Sequence, residues 1–555
     1  MRRLMFIAIV VLALLPLTLV SAQDADTVVV RSLGNITTFN PLMTTDGASF
    51  QAFSVLWPAP IDVDSFTGEP VPGLTSWTVS DDGLTYTFKI REDANWSDGT
   101  PISSDDMIFT IGAIQNPDIA TALESNVALI KEVNKIDDKT YSIVLTEPDC
   151  AALSQLGAIR FLPAHKFTAD YSDWDTNAIN QHPDISGGPY ILEDWTPDEG
   201  QRYIANDTYY GGAPKIKYLV NKVIGEQTVA LQAIQSGDVD YTYFQGDLFN
   251  QIQNKDNLQY QFFPQLTVNF MSLNWVDPTD PKSGYDDAGK PVEQKPHPIF
   301  SDPIVRKAVA MGYNKQDILA TLGGTDGGTP LVGVVVPTIA WAYNTNLEPY
   351  PYDPEGAKKM LEDDGWVDSN GDGIREKDGV PLVFTIRYSN ILNLFETTAL
   401  IAQDQLKQVG FDVKVELVEW ANYLDEVYFG QKYDATPMSN SGGTAPPDPN
   451  DFTTLLLSTE DIVGAGNNLA SYNNPKVDEL IKQARTVPGC KTEDRAKIYN
   501  EIQQITHDDV AYDWTFTPNI YQVANKRVGN FNPGPSWVYY GYTSFINTWT
   551  LDGSS

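Results

Sequence analysis

The stretch from residue 77 to residue 111 constrains the fold of this chain more than any other. Ser80-Asp81-Asp82-Gly83 is a turn signal, and Thr85-Tyr86-Thr87-Phe88-Lys89-Ile90 alternates with the period of a strand buried on one face. A second turn, Asn95-Trp96-Ser97-Asp98-Gly99-Thr100-Pro101, leads to Ser103-Ser104-Asp105-Asp106, whose short oxygen-bearing side chains can cap a helix starting near Met107. Strand, turn and capped helix in succession predict an α/β chain. The β-branched run Thr27-Val28-Val29-Val30-Arg31-Ser32 reads as a buried strand that delivers its end to a loop carrying Thr44, Thr45, Asp46 and Gly47, the way an α/β scaffold presents a binding surface. Further on, residues 304–312 and 352–364 read as capped helices. Residues 397–409 have apolar positions at helical spacing before Gly410, and residues 411–418 alternate as a strand.

At 555 residues the chain exceeds what one core holds, and two or three domains are expected. A formal charge of −36 repels phosphate backbones and anionic lipid surfaces, which argues against nucleic acid as a partner. Arg2 and Arg3 precede an apolar run over residues 4–20, and Ser21-Ala22 before Gln23 supplies the small residues that signal peptidase needs. Residues 1–22 therefore read as an export signal, either removed or kept as an anchor. No cysteine lies near its end, so a lipoprotein is not expected, and no second run of about 18 apolar residues follows. Cys150 and Cys490 are far apart in an exported chain and either pair or stay free; free thiols are the expectation.

Catalytic motifs are sparse. His165, His182, His297 and His507 have no zinc-ligand spacing, and no Gly-x-Ser-x-Gly elbow occurs. Gly284 to Lys290 approaches a phosphate-binding loop, but Pro291 stands where Ser or Thr is required. Asp368, Asn370 and Asp372 occupy the first, third and fifth positions of a calcium loop with Gly373 at the sixth, while Gly379 replaces the closing glutamate. A polar turn is the expectation there, with calcium as the alternative. No other cofactor and no enzymatic step is expected.

A family resemblance runs through the chain. Tyr86-Thr87-Phe88-Lys89-Ile90-Arg91 followed by Trp96-Ser97-Asp98-Gly99-Thr100-Pro101 and Asp105-Asp106 resembles the signature of family 5 extracellular solute-binding proteins, the dipeptide-, oligopeptide- and nickel-binding receptors of ABC importers. The likeness continues at Gly187-Gly188-Pro189-Tyr190 with Asn206-Asp207-Thr208-Tyr209-Tyr210, at Phe300-Ser301-Asp302-Pro303, at Tyr352-Asp353-Pro354 and at Glu419-Trp420-Ala421-Asn422-Tyr423. It implies the two-lobed α/β fold of periplasmic binding proteins (class II), with a subdomain inserted in lobe I. In this chain that means lobe I over residues 24–265 with the insertion at about 44–182, lobe II over 266–520, and a return to lobe I over 521–555. The crossovers would lie near 266–274 and 514–522.

The resemblance also implies a partner, the membrane permease of an importer, and a monomer that closes on a small solute outside the cytoplasm. Lobe I would offer Thr44, Thr45, Asp46 and Gly47; lobe II would offer Trp420, Tyr423, Trp341 and a loop. Residues 438–452 read as that loop throughout, because Pro446, Pro447 and Pro449 oppose a helix or central strand and Gly442 and Gly443 leave backbone amides open. Asn440, Gly442 and Asp448 are its candidate contacts. Peptide receptors of the family carry Trp-x-x-Asp shortly before an Asp-Pro pair, the acid neutralising the ligand's ammonium. Here the matching positions before Asp448-Pro449 are Gly442 and Ala445, or Ser439 and Gly442 when counted from Gly430, and neither supplies an acid. Arg387, the nearest arginine to where dipeptide receptors hold the ligand carboxylate, falls in an alternating strand. An oligopeptide held through its backbone or an oligosaccharide stacked on aromatics is the expected ligand. A secreted hydrolase and a surface-layer or adhesion protein are the alternatives.

Overall fold

The computed structural model describes residues 25–286, 288–442, 446–462, 467–534, 543 and 545–551. The export signal lies outside them, as do Gly443 and Ala445. Among the described residues no helix is long and apolar enough to cross a membrane.

The β-branched run at the start becomes strand Thr27–Ser32, buried almost throughout and central to a large mixed sheet. It pairs in parallel with Tyr218–Val223 and Tyr241–Gln245. The path through this sheet runs Leu258–Pro264, Phe516–Asn525, Tyr241–Gln245, Thr27–Ser32, Tyr218–Val223, Gly200–Ala205 and Tyr190–Thr196. A second sheet has the order Asp412–Leu417, Val383–Tyr388, Ala435–Ser441, Thr267–Leu273 and Asp513–Trp514. The chain passes from the first sheet to the second between Pro264 and Thr267, and returns between Trp514 and Phe516. Each sheet with its helices forms one lobe of a two-lobed α/β fold.

The opening sequence motif builds a smaller four-stranded sheet on lobe I, ordered Thr75–Val79, Thr85–Ile90, Thr140–Leu145 and Ile130–Asp137. The alternation in residues 85–90 is borne out: Tyr86, Phe88 and Ile90 are buried. The helix spans Ser104–Gln115, earlier than its expected start, because the Asp106 carboxylate accepts the backbone N–H of Ser103 at 2.8 Å and fixes Ser103 as the cap. Asp106 is buried and also accepts from the Trp96 indole (3.2 Å) and from Ala164 N–H (2.9 Å). Burial raises its carboxyl above the usual range against those three donors. The motif is a packing device: Trp96 meets Trp57 edge to face at 6.2 Å, and Ser97 N–H donates to Ser186 O at 2.8 Å.

In lobe II, Asp302 caps Pro303–Gly312 and Asp353 caps Pro354–Asp363, each with proline in its first turn where the absent N–H costs nothing. Helix Asn393–Leu406 tightens through residues 407–409 before Gly410, whose φ of 105° needs a residue without a side chain. Asp368 accepts from Gly371 and Gly373 N–H at 2.7 and 3.0 Å, and Asp372 accepts from Ile374, so these oxygens close a turn.

Two expectations are corrected. Residues 438–452 are not loop throughout: strand Ala435–Ser441 and helix Asn450–Leu457 leave only residues 442–449 between them. The strand tolerates Pro437 because its parallel pairing to Val383–Tyr388 ends at Ala435, and there the Thr436 hydroxyl donates to Arg387 O at 2.7 Å. The thiols are not free: Cys150 and Cys490 form a disulfide with Cα atoms 5.2 Å apart.

Candidate functional site: the cleft between the lobes

The two passages between the sheets lie side by side and are bound together by polar side chains. Asn269, buried, donates its amide to Phe516 O (3.1 Å) and accepts the Ser439 hydroxyl. Its own carbonyl accepts Thr515 N–H at 3.0 Å. Thr517 donates to Gln265 O, Thr338 to Pro264 O, and Thr267 meets Ser441 at 2.9 Å. Gly442 N–H closes the group by donating to Leu266 O at 2.9 Å. A Cβ on Gly442 would lie 2.8 Å from the Phe452 ring, so the end of this strand needs glycine. Strand Ala435–Ser441 thus delivers Asn440 and Gly442 to the hinge.

Asn440 stands opposite Val268, half-buried, and its amide has no hydrogen bond among the described residues. Val268, Trp341, Trp420, Tyr423 and Met438 belong to the same apolar cluster. Trp420 stacks on Tyr423 with centroids 5.7 Å apart. Tyr423 itself is fully buried; its hydroxyl meets Thr436 at 2.7 Å, and burial pushes the phenol well up. Trp420 is the half-exposed member of that pair and Trp341 a second one, lying edge-on to Tyr499 at 5.8 Å with Arg495 at 5.4 Å from its ring. The structure therefore places Asn440 on the strand beside the hinge, stacks half-exposed Trp420 on buried Tyr423, and sets Trp341 against Tyr499 and Arg495 at another part of the same apolar cluster.

Asp448 has a different environment. It is buried and bidentate to Arg495, with N–O distances of 2.7 and 2.9 Å, and accepts from Asn450 N–H. Burial lowers the arginine's hold on its proton, but the Asp448 charge and Tyr499 outweigh it and keep Arg495 cationic. In lobe I, Asp46 caps helix Gly47–Ser54 through Ser49 N–H (2.8 Å) and accepts the hydroxyls of Thr44 (2.7 Å) and Thr37 (2.8 Å). Burial pushes the Asp46 carboxyl up, and these donors together bring it below its ordinary value, so it stays ionised. Thr45 is exposed, and Thr44 and Gly47 are half-exposed.

Away from the hinge, the lobes meet again. Cys150 leads out of the small four-stranded sheet of lobe I, and Cys490 lies between helices Pro475–Arg485 and Thr492–Asp508 of lobe II. Asp149 pairs with Arg485 at 2.8 Å, and Cys150 N–H donates to Arg485 O at 2.7 Å. Sequence reasoning missed this junction, Arg495 and Asn269. No local pattern ties residue 150 to 490 or 448 to 495; each pairing exists only once the chain is folded.

A sheet-and-helix lobe on either side of two adjacent crossovers is the architecture of the periplasmic solute-binding receptors. The chain belongs to the bacterial extracellular solute-binding proteins, family 5, whose middle-region profile matches residues 69–463. It is similar to the oligopeptide-binding protein AppA of Bacillus subtilis, 25% identical over 534 residues covering 95% of this chain and 92% of the relative. It is also similar to the dipeptide-binding protein of Escherichia coli, 27% identical with 91% of this chain and 93% of the relative covered. Among solved structures, AppA from Bacillus subtilis in complex with a nonapeptide matches with a TM-score of 0.62 at 25% identity over 95% of this chain and 98% of that one. HbpA2 from Haemophilus parasuis matches at 0.78 and 23% identity over 95% and 99%.

Proposed function

We propose that this protein is the extracytoplasmic receptor of an ABC importer, that it acts as a monomer, and that its solute is an oligopeptide enclosed when the lobes close. The observation that carries this reading is the pair of adjacent crossovers that join two sheet-and-helix lobes. A ligand enclosed between the lobes touches both, and only contacts made to both at once shift an open–closed equilibrium. AppA and the dipeptide-binding protein are peptide receptors by name, and the oligosaccharide, hydrolase and adhesion readings receive no support from them.

The solute's ammonium is not held as the sequence pattern of peptide receptors would have it. Asp448 is already neutralised by Arg495, and Asp46 is the acid of the lobe I loop that stays ionised and partly open to solvent. Free half-buried amides such as Asn440 and flat indoles suit a peptide backbone of any side-chain sequence. Native mass spectrometry of protein purified without refolding tests this: a retained mass that fragments as a peptide is expected, and titration with free and N-acetylated oligopeptides should give similar affinities. Retention of a sugar, or saturable sugar binding with no peptide bound, overturns it.

A further inference from the structure

A cavity of about 270 Å³ lies wholly within lobe I. It opens beyond the C-terminal end of helix Gly47–Ser54, while Asp46 caps the other end; eight residues of helix put about 12 Å between them. Its walls carry Asp62 from strand Ile61–Val63, Arg160, Trp57, Tyr209, Tyr210 and Phe545. Among the described residues none of lobe II lines it, so this space is separate from the cleft.

The two charges in the cavity do not meet. Arg160 donates to Trp57 O at 2.8 Å and to the Ser54 hydroxyl at 3.4 Å, and its guanidinium lies 5.4 Å from the Phe50 ring. None of these neighbours is an anion, and among the described residues Arg160 takes part in no ion pair. Among the described residues Asp62 likewise has no ion pair and no donor to its carboxylate. The carboxylate is backed by Gly73: a Cβ there would come within 2.6 Å of the Asp62 carboxyl carbon, so the absent side chain is what makes room for it. Asp62 is open to solvent and Arg160 half-buried; surrounding protein atoms lower the Arg160 guanidinium to about 10, and the Asp62 charge offsets this only in part. Tyr209 and Tyr210, with centroids 4.6 Å apart, supply an aromatic wall between polar ends.

We propose that this cavity is a second ligand site, distinct from the interlobe cleft, for a small zwitterion of free amino-acid size whose carboxylate meets Arg160 and whose ammonium meets Asp62. A single anion would satisfy Arg160 and be repelled by Asp62; a single cation would do the reverse. Only a molecule carrying both charges completes both partners, and charge-assisted hydrogen bonds at each end fix its orientation. The volume admits an amino acid and excludes a long peptide.

The test is calorimetric titration of the full chain, its cleft saturated with an oligopeptide that it retains, with L-alanine, L-leucine and L-phenylalanine, and with acetate and ethylamine as single-charge controls. Saturable binding of at least one amino acid is expected, weakened about tenfold or more by Arg160→Met and by Asp62→Asn, with neither control binding. Arg160→Met keeps the aliphatic stem beside Phe50; thermal unfolding of each variant establishes that it is folded, and the wild-type titration decides the matter where one is not. No amino acid bound by the wild type, acetate bound as tightly as an amino acid, or affinity unchanged in both variants overturns the proposal. Loss of cleft binding alone does not touch it, because the site uses no residue of lobe II.

Discussion

Replacing Asp448 by Asn separates a structural acid from a ligand-binding one. The Asp448 and Arg495 side chains are 5% and 7% exposed and joined by two charge-assisted bonds. Removing the carboxylate leaves the guanidinium buried beside Trp341 with only Tyr499 and Ala484 O as partners. Breaking one partner of a buried pair typically costs about 3–5 kcal/mol, a change of about a hundred- to a few thousandfold in the folding equilibrium of lobe II. The same substitution should leave peptide affinity within about threefold wherever the protein is still folded, since the partners of the Asp448 carboxylate include Arg495 and Asn450 N–H but, among the described residues, neither Trp420 nor Asn440. Urea unfolding followed by tryptophan fluorescence measures the first quantity and peptide titration at low urea the second. The double variant Asp448→Leu with Arg495→Met should recover part of the lost stability, because it removes the orphaned charge as well. A stability loss under about 1 kcal/mol combined with abolished peptide binding refutes the reasoning and returns Asp448 to the ligand.

Two further outcomes follow from the structure. Changing Cys150 and Cys490 together to Ser releases a covalent link that closes over a separation of 340 residues, for which loop entropy sets an upper bound of about 5–6 kcal/mol; lower thermal stability and faster peptide release are expected, checked by calorimetry and stopped-flow dissociation. Asp461 is raised to about 6 by burial and by the Glu460 charge, so its folded form holds the proton more tightly than the unfolded chain; stability should therefore rise as pH falls through 6 towards 4, by about 1 kcal/mol once solvent screening of this half-open group is allowed for, and Asp461→Asn should flatten that part of a pH–stability profile and stabilise the protein at pH 7.

The parts of the fold legible in the sequence are those decided within a few residues. The period of Thr85–Ile90, the capping acids Asp302 and Asp353, and the glycine at 410 each state a local preference that the tertiary structure keeps. The segment around Pro437 to Ser441 was misleading because its strand is held by distant partners: Ser439 by Asn269, Ser441 by Thr267 and the backbone of Thr267–Leu273. Prolines and serines there look like a loop to any local rule. Helix Asn393–Leu406 begins earlier than its apolar spacing suggested because Phe395 is drawn into the core of lobe II. The candidate site divides the same way. The aromatic pair of Trp420 and Tyr423 was visible, but which of the two is covered depends on Thr436 and Met438 across the sheet.

The bond between Cys150 and Cys490 also changes what a protease can do to this protein. More than half of the chain lies inside the ring that it closes, including almost the whole of lobe II. One cut at any exposed loop between those residues leaves a molecule with two chains and a single covalent body. Its lobes stay tethered, and its pieces separate on a gel only after reduction. Outside the cell, where peptides and the enzymes that make them occur together, a receptor of this build survives its first nick.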